Sequence, residues 1–285
     1  MKIFLDSAKL SEIEEAASLG IVEGITTNPS LLKQALSEQK TEDLEIYIRS
    51  ILKAMNRLPV SLEITKNTTE EAINEAKALY KMFNHTARNV CIKIPICLTE
   101  KENSFFDGIK VITEVSKQKI PVNATLIFTP EQALLAAKAG AKYVSPFAGR
   151  IDDYLRDKQQ TNYSKEDYYP AEGLKVNNEV INDNGIISGV DLVKKCVEIL
   201  KKHELKTEVI AASIRNVRQA RECAQVGAHI STLPMKTIKE LIMHEKTFEG
   251  VKKFSEDTVK EYEALTKKWN TKKTGHEKAR KTKTN

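Results

Sequence analysis

The chain has 285 residues, 41% of them hydrophobic, which is enough apolar material for one large core and excludes a disordered protein. Its formal charge of +6 is concentrated: residues 267–285 hold eight basic side chains and one acidic one, leaving 37 basic against 38 acidic, or −1, for residues 1–266. No run nears the roughly 18 apolar residues of a membrane span, charges from Lys2 to Glu15 interrupt any secretory signal core, and Cys91, Cys97, Cys196, Cys223 and five scattered histidines show neither CxxC nor zinc spacing.

Eight short runs rich in Val, Ile and Phe follow one another: KIFLD (2–6), GITT (24–27), LPVSLEI (58–64), VCIKIPI (90–96), VNATLIF (122–128), YVSPFAG (143–149), EVIAASI (208–214) and HISTLP (229–234). Helical stretches separate them. Thr68 with Glu71 reads as a cap before the stripe Ile73, Ala76, Tyr80 and Phe83. Thr129-Pro130 with Gln132 is a capping box with proline at the first helical position, and Gly140 closes that helix. Ser188 with Asp191 repeats the pattern more weakly before Val193, Val197 and Leu200. Strict alternation of strand and helix predicts a parallel sheet, and eight repeats predict a closed (β/α)₈ TIM barrel over residues 1–246. A doubly wound sheet is the rival, but no GxGxxG or P-loop follows an early strand. Two segments break the rhythm. Residues 152–188 form a polar insertion too long for an ordinary connection, and residues 247–268 form an extra charged helix before a basic, disordered tail at 269–285.

Side chains alternate along a strand, so residues of equal parity share a face. In NVCIKIPIC, Ile92, Ile94 and Ile96 make an apolar face for the helical layer, which turns Cys91, Lys93, Pro95 and Cys97 toward the barrel interior. A lysine there needs a reason, because desolvating an ammonium costs several kcal/mol without a partner (about this order). Parity also pairs Phe4 with Asp6, Thr26 with Asn28, Ser61 with Glu63, Asn123 with Thr125, Ser145 with Phe147, and Ser213 with Arg215. Each pair lies near the C-terminal end of its strand, where barrel enzymes place their sites. Taken singly, each has a structural alternative: Asp6 as the cap of a helix starting near Ala8, Glu63 as the partner of a lysine, Thr125 and Ser145 bonding nearby backbone, Arg150 in a surface ion pair. One lysine, two carboxylates and several hydroxyls and amides converging on one barrel end are more than an isolated ion pair requires.

A free lysine with a pKa near 10.4 is a poor nucleophile. Burial favours its neutral form, while nearby carboxylates oppose this. A neutral amine at a barrel mouth attacks a carbonyl to form a Schiff base, an electron sink that permits carbon–carbon cleavage without a metal. Arg215 and Ser213 at a strand end, with Asn216 capping the next helix, form a phosphate-binding constellation, and Arg150 offers a second guanidinium. A phosphorylated sugar is the predicted substrate, with no cofactor and no metal.

These residues resemble the transaldolases, including the short transaldolase-like proteins and the fructose-6-phosphate aldolases. The resemblance runs from about residue 2 to 250 and rests on FLD (4–6), GITTNPSLL (24–32), SLEI (61–64), CIKIPI (91–96), NATLIF (123–128), SPFAGRIDD (145–153) and AASIRN (211–216), in the family's order. It implies a (β/α)₈ barrel whose fourth strand carries the Schiff-base lysine, matching Lys93. It further implies Asp6 as general acid/base on the sugar hydroxyl, and Glu63 and Thr125 as holders of a proton-shuttling water. Asn28, Asn123 and Ser145 would bind a dihydroxyacetone unit, and Arg150, Ser213 and Arg215 a phosphate. Glu at position 63 and Phe147 resemble transaldolases proper, where the aldolases carry Gln and Tyr. Transfer of a dihydroxyacetone unit between sugar phosphates is therefore expected. Release of free dihydroxyacetone is the alternative, and nucleic-acid or anionic-surface binding by the tail an alternative of another class. A cytoplasmic homo-oligomer acting on small molecules, with no membrane and no nucleic acid as its main partner, completes the expectation. The chain departs from short family members in residues 152–188, where YYPAEG (168–173) looks like the longer transaldolases, and in its tail.

Overall fold

Among the described residues ten strands follow in chain order: β1 (Lys2–Asp6), β2 (Val22–Thr26), β3 (Val60–Glu63), β4 (Val90–Pro95), β5 (Val122–Ile127), β6 (Tyr143–Pro146), β7 (Lys175–Val176), β8 (Glu179–Val180), β9 (Glu208–Ala211) and β10 (Ile230–Leu233). The computed structural model describes residues 1–39, 43–100, 104–160 and 162–262, together with 264, 265, 267 and 269. Every strand but β7 and β8 joins one parallel sheet, closed in the order β1-β10-β9-β6-β5-β4-β3-β2. Helices alternate with these strands, giving a (β/α)₈ TIM barrel. Two helices, Pro29–Gln39 and Leu44–Ala54, occupy the connection from β2 to β3.

The period-2 pattern sorts residues into two layers. Leu62, Ile92, Ile94, Val122, Ala124 and Val144 point outward into one apolar layer shared with helix residues such as Ile51, Val111, Ile112 and Val193. Inside the barrel, Phe4, Cys91, Tyr143, Ile210 and Ile230 form a separate cluster, with the rings of Phe4 and Tyr143 edge to face at 6.3 Å. Burying side chains of this size stabilises by about 1.5–3 kcal/mol each. The interior is so tight that a Cβ on Gly24 would lie 2.5 Å from the Phe4 ring. Burial pushes the Cys91 thiol up to about 12 and keeps it protonated.

Helix starts follow local chemistry. Thr129 and Gln132 make the reciprocal capping box, and Gly140 follows in the left-handed region. The Ser188 hydroxyl accepts from Asp191 N at 3.0 Å, while the Asn216 carbonyl oxygen accepts from Gln219 N at 2.9 Å. Thr68 departs from expectation. Its hydroxyl donates to the Glu71 carboxylate at 2.7 Å and makes no bond to backbone.

The polar stretch 152–188 begins helically, since Asp152–Asp157 complete the helix Ala148–Asp157. It continues into the β7–β8 hairpin, whose turn residues Asn177 and Asn178 both have positive φ, as a two-residue type I′ turn requires. Residues Met1–Leu241 form one compact unit and Ile242–Asn285 a second. The second contains the helix Glu245–Glu256, started by the His244 side chain accepting from Lys246 N. Asp257–Val259 interrupt the helix expected at 247–268. Lys268 and residues 270–285, most of the basic tail, lie outside the described residues. Among the described residues, no helix is long and apolar enough to cross a membrane.

Candidate active site

Strand register sets the chemistry at the C-terminal end of the barrel. Glu63 on β3 is the direct neighbour of Lys93 on β4, and Lys93 in turn neighbours Asn123 on β5. With these side chains on the inner face, the Lys93 ammonium pairs with Glu63 at 2.9 Å and donates to the Thr27 carbonyl at 3.1 Å. Lys93 is 5% exposed. The carboxylate and the carbonyl offset the desolvation penalty that an unpartnered buried ammonium would pay.

Asp6 ends β1 beside Thr26 on β2. The Thr26 hydroxyl donates to Asp6 Oδ1 at 2.7 Å and meets the Thr232 hydroxyl at 2.5 Å. Burial pushes the Asp6 carboxyl above its ordinary value, opposed by the Lys93 charge and the Thr26 hydroxyl. Asp6 does not cap the following helix. That helix begins at Leu10, and Ser7 serves its entry by accepting from Lys9 N and donating to Glu12.

A cavity of about 250 Å³ opens above these groups. Eight of the expected site residues line it: Asp6, Asn28, Lys93, Ser145, Phe147, Arg150, Ser213 and Arg215. Three others do not. Glu63 stands outside the lining, ion-paired with Lys93. Asn123 is held by Ser61 and Ser145, accepting from the Ser145 hydroxyl at 2.7 Å and donating to Ser61 Oγ at 3.2 Å. Thr125 is fully buried and its hydroxyl meets no hydrogen-bond partner among the described residues, which fits a site for water. Asn28 both lines the cavity and accepts from Leu31 N, and its side-chain amide N–H groups have no hydrogen-bond partner among the described residues.

One end of the cavity is cationic. Arg150 stacks over the Phe147 ring at 4.9 Å. Arg215 pairs with Asp153 at 2.9 Å, while its buried Nε has no partner among the described residues. Arg215 N donates to the Gln219 side chain. Gln219 donates in turn to the buried Asp152, which also accepts from Gly189 N. The strand and helix approach closely here: a Cβ on Gly149 would fall 2.2 Å from the Ser213 carbonyl and 2.6 Å from Arg215 Nε.

Parity fails at this strand. Ile210 points into the barrel, so regular alternation would carry Ala212 inward and Ser213 outward. The strand ends at Ala211, and a φ of 60° at Ser213 turns the chain so that residues 212–215 all reach the cavity. Sequence reasoning also missed Thr232, Pro234 and Lys165 in the lining. The period-2 rule applied to HISTLP finds Thr232, two residues after inward Ile230. No pattern marks Lys165, which lies in the polar insertion. Among the described residues no group of three or more His, Cys, Asp or Glu side chains is placed to hold a metal ion.

Comparison with known proteins agrees with this arrangement. Residues 3–284 match the family model described as Transaldolase/Fructose-6-phosphate aldolase. A protein named "Probable transaldolase" from Chlorobium phaeobacteroides is 38% identical over 260 residues, covering 90% of this chain and 96% of that one. Proteins of the same name from Clostridium botulinum and Syntrophobacter fumaroxidans are 36% and 37% identical, covering 92% and 90% of this chain and 98% and 96% of theirs. With a closed barrel, a buried strand-four lysine and a match along nearly its whole length, the chain belongs to the transaldolase/fructose-6-phosphate aldolase family.

Proposed function

We propose that the protein is a transaldolase of the pentose phosphate pathway. It moves a dihydroxyacetone unit from sedoheptulose 7-phosphate to glyceraldehyde 3-phosphate, yielding erythrose 4-phosphate and fructose 6-phosphate, and runs the reverse. The observation that carries this is the Lys93 amine, buried against Glu63 and opening onto a cavity that holds Asp6 near one end and two guanidinium groups at the other.

The chemistry follows from proton placement. Glu63 accepts the ammonium proton, and the neutral Lys93 amine adds to the ketose carbonyl carbon. Glu63, through a water at the Thr125 hydroxyl, returns a proton to the carbinolamine oxygen, which leaves as water and gives an iminium. Asp6, ionised, takes the proton of the hydroxyl on the carbon to be released. The carbon–carbon bond breaks, its electron pair neutralises the iminium to an enamine, and the aldehyde departs. The acceptor aldehyde enters, the enamine carbon attacks it, Asp6 returns the proton to the new hydroxyl, and water hydrolyses the iminium. A carboxyl with a raised pKa suits both directions of that exchange. Asn28 and Ser145 hold the hydroxyls of the retained unit, Asn123 orients Ser145, and Arg150, Ser213 and Arg215 hold the phosphate.

The test is reduction with borohydride in the presence of fructose 6-phosphate, followed by peptide mass spectrometry. A reduced adduct on Lys93 is expected. An adduct elsewhere, or one that persists in Lys93→Ala, overturns the assignment. Free dihydroxyacetone released without an acceptor as fast as transfer occurs would move the protein to the aldolase branch, against Phe147 and Glu63.

A further inference from the structure

The cavity is lined almost wholly from the strand ends and the turns that directly follow them. Apart from Arg150 on the helix Ala148–Asp157, Lys165 is the exception, among the described residues the single lining residue contributed by the segment between that helix and β9. Its position is built. Ser164 N donates to Asp167 Oδ2 at 2.8 Å, closing a tight turn around Lys165. The Asp167 carbonyl accepts from Arg156 Nη2 at 2.8 Å, and Tyr163 lies under the Arg156 guanidinium at 4.8 Å while its hydroxyl donates to Asp157. On the other side the Glu166 carbonyl accepts from Asn216, the residue that caps the helix after β9, and the Glu166 carboxylate pairs with Lys236, just after β10. The turn is thus tied to the segments following β6, β9 and β10, and it stands at the cationic end of the cavity.

The charge at that end is unevenly compensated. Arg215 has Asp153 as its counterion. Lys165, between a serine and two acidic residues in sequence, forms no ion pair among the described residues, since Glu166 is turned to Lys236 and Asp167 to its own turn. Lys165 is solvent-exposed, and its ammonium lines the cavity together with Arg150, Arg215 and the Ser213 hydroxyl, so the positive potential there favours a ligand carrying more than one negative charge at its distal end. A phosphate dianion matches this; a neutral sugar does not.

We propose that Lys165 is a substrate-binding and specificity-determining residue, through which the insertion supplies a third cation to the phosphate of the sugar. This rests on the function proposed above and extends it by assigning the preference for phosphorylated over free sugars in part to the insertion. As a compact charge on a flexible stem, the ammonium follows a phosphate through substrates of different length, whereas the guanidiniums are fixed by Asp153 and by the Phe147 ring.

The experiment has two arms. In the first, inorganic phosphate is titrated calorimetrically into the full-length protein, Lys165→Ala and Lys165→Arg. Removing the charge should weaken phosphate binding about tenfold and flatten its salt dependence, with Lys165→Arg restoring both. In the second, KM and kcat are measured for fructose 6-phosphate and for fructose, with saturating erythrose 4-phosphate as common acceptor. Lys165→Ala should raise KM for the phosphorylated donor by a similar factor, leave kcat within twofold and leave fructose unchanged. Unaltered phosphate binding, or equal losses with both donors, overturns the proposal. A protein that binds phosphate through Lys165 yet traps no ketose would instead refute the Schiff-base assignment and leave this one standing.

Discussion

Gly149→Ala tests the phosphate end with a single methyl group. The added Cβ would lie 2.2 Å from the Ser213 carbonyl oxygen and 2.6 Å from Arg215 Nε. Bringing the carbonyl from 2.2 Å to the 3.4 Å of ordinary contact requires a displacement of about 1.2 Å. That carbonyl is backbone and already accepts from Gly149 N at 3.2 Å, so a rotamer change cannot relieve the clash. Overpacking of this kind costs about 1–3 kcal/mol of stability, and misplacing binding groups by about 1 Å costs on the order of 10²-fold in rate. We expect kcat/KM for fructose 6-phosphate to fall by about 10², with fructose much less affected because its contacts lie toward Lys93 and Asp6. Guanidinium denaturation should show the variant folded, with its midpoint lowered. A variant that keeps wild-type kcat/KM for the phosphorylated donor, or that loses both donors equally, would refute a phosphate site at Ser213 and Arg215.

Lys93→Met should abolish adduct formation and cost about 3–5 kcal/mol of stability by leaving the Glu63 carboxylate buried without its partner; Lys93→Met/Glu63→Gln should recover most of it, and equal urea stability of the single and double variants would contradict the buried pair. Asp6→Asn should still trap ketose on Lys93 but lower turnover by about 10² or more. Because burial raises the Asp6 pKa, lowering the pH protonates this base while ordinary carboxylates remain ionised, so the acid limb of kcat should lie above the usual carboxylate range and vanish in the variant. Asp152 is 3% exposed and burial pushes its pKa from 3.8 to about 7, against bonds from Gly189 N and Gln219 and the charge of Arg156. Its folded form holds a proton that the unfolded form has lost, so wild-type stability relative to Asp152→Asn should fall by about 4 kcal/mol as pH rises from about 4 to 8. A difference that stays level over that range would show Asp152 ionised throughout.

The inward residues of the regular strands were legible because alternation is a local property of the chain. Lys93 amid three isoleucines, Asp6 two residues from Phe4, and Ser145 two from Tyr143 all face as their parity requires. The rule weakens wherever the backbone leaves the extended region. Leu126, at φ 56°, marks a bulge in β5, and Ser213, at φ 60°, delivers its side chain to the cavity from the wrong parity. Ser213 and Arg215, read from AASIRN at a strand end, both line the cavity, but alternation alone does not explain how the chain turns them there.

By itself the sequence determined the alternation of strand and helix, the apolar and polar faces, the caps at Thr129, Ser188 and Asn216, and the family. Tertiary structure decided what stands beside what. Closure of the barrel and its register put Glu63 next to Lys93 and Thr26 next to Asp6. Bonds from Arg156, Asn216 and Lys236 to one polar turn brought Lys165 to the cavity. Periodicity depends on neighbours along the chain, whereas register and loop anchoring depend on partners far apart in it, and no local pattern encodes those.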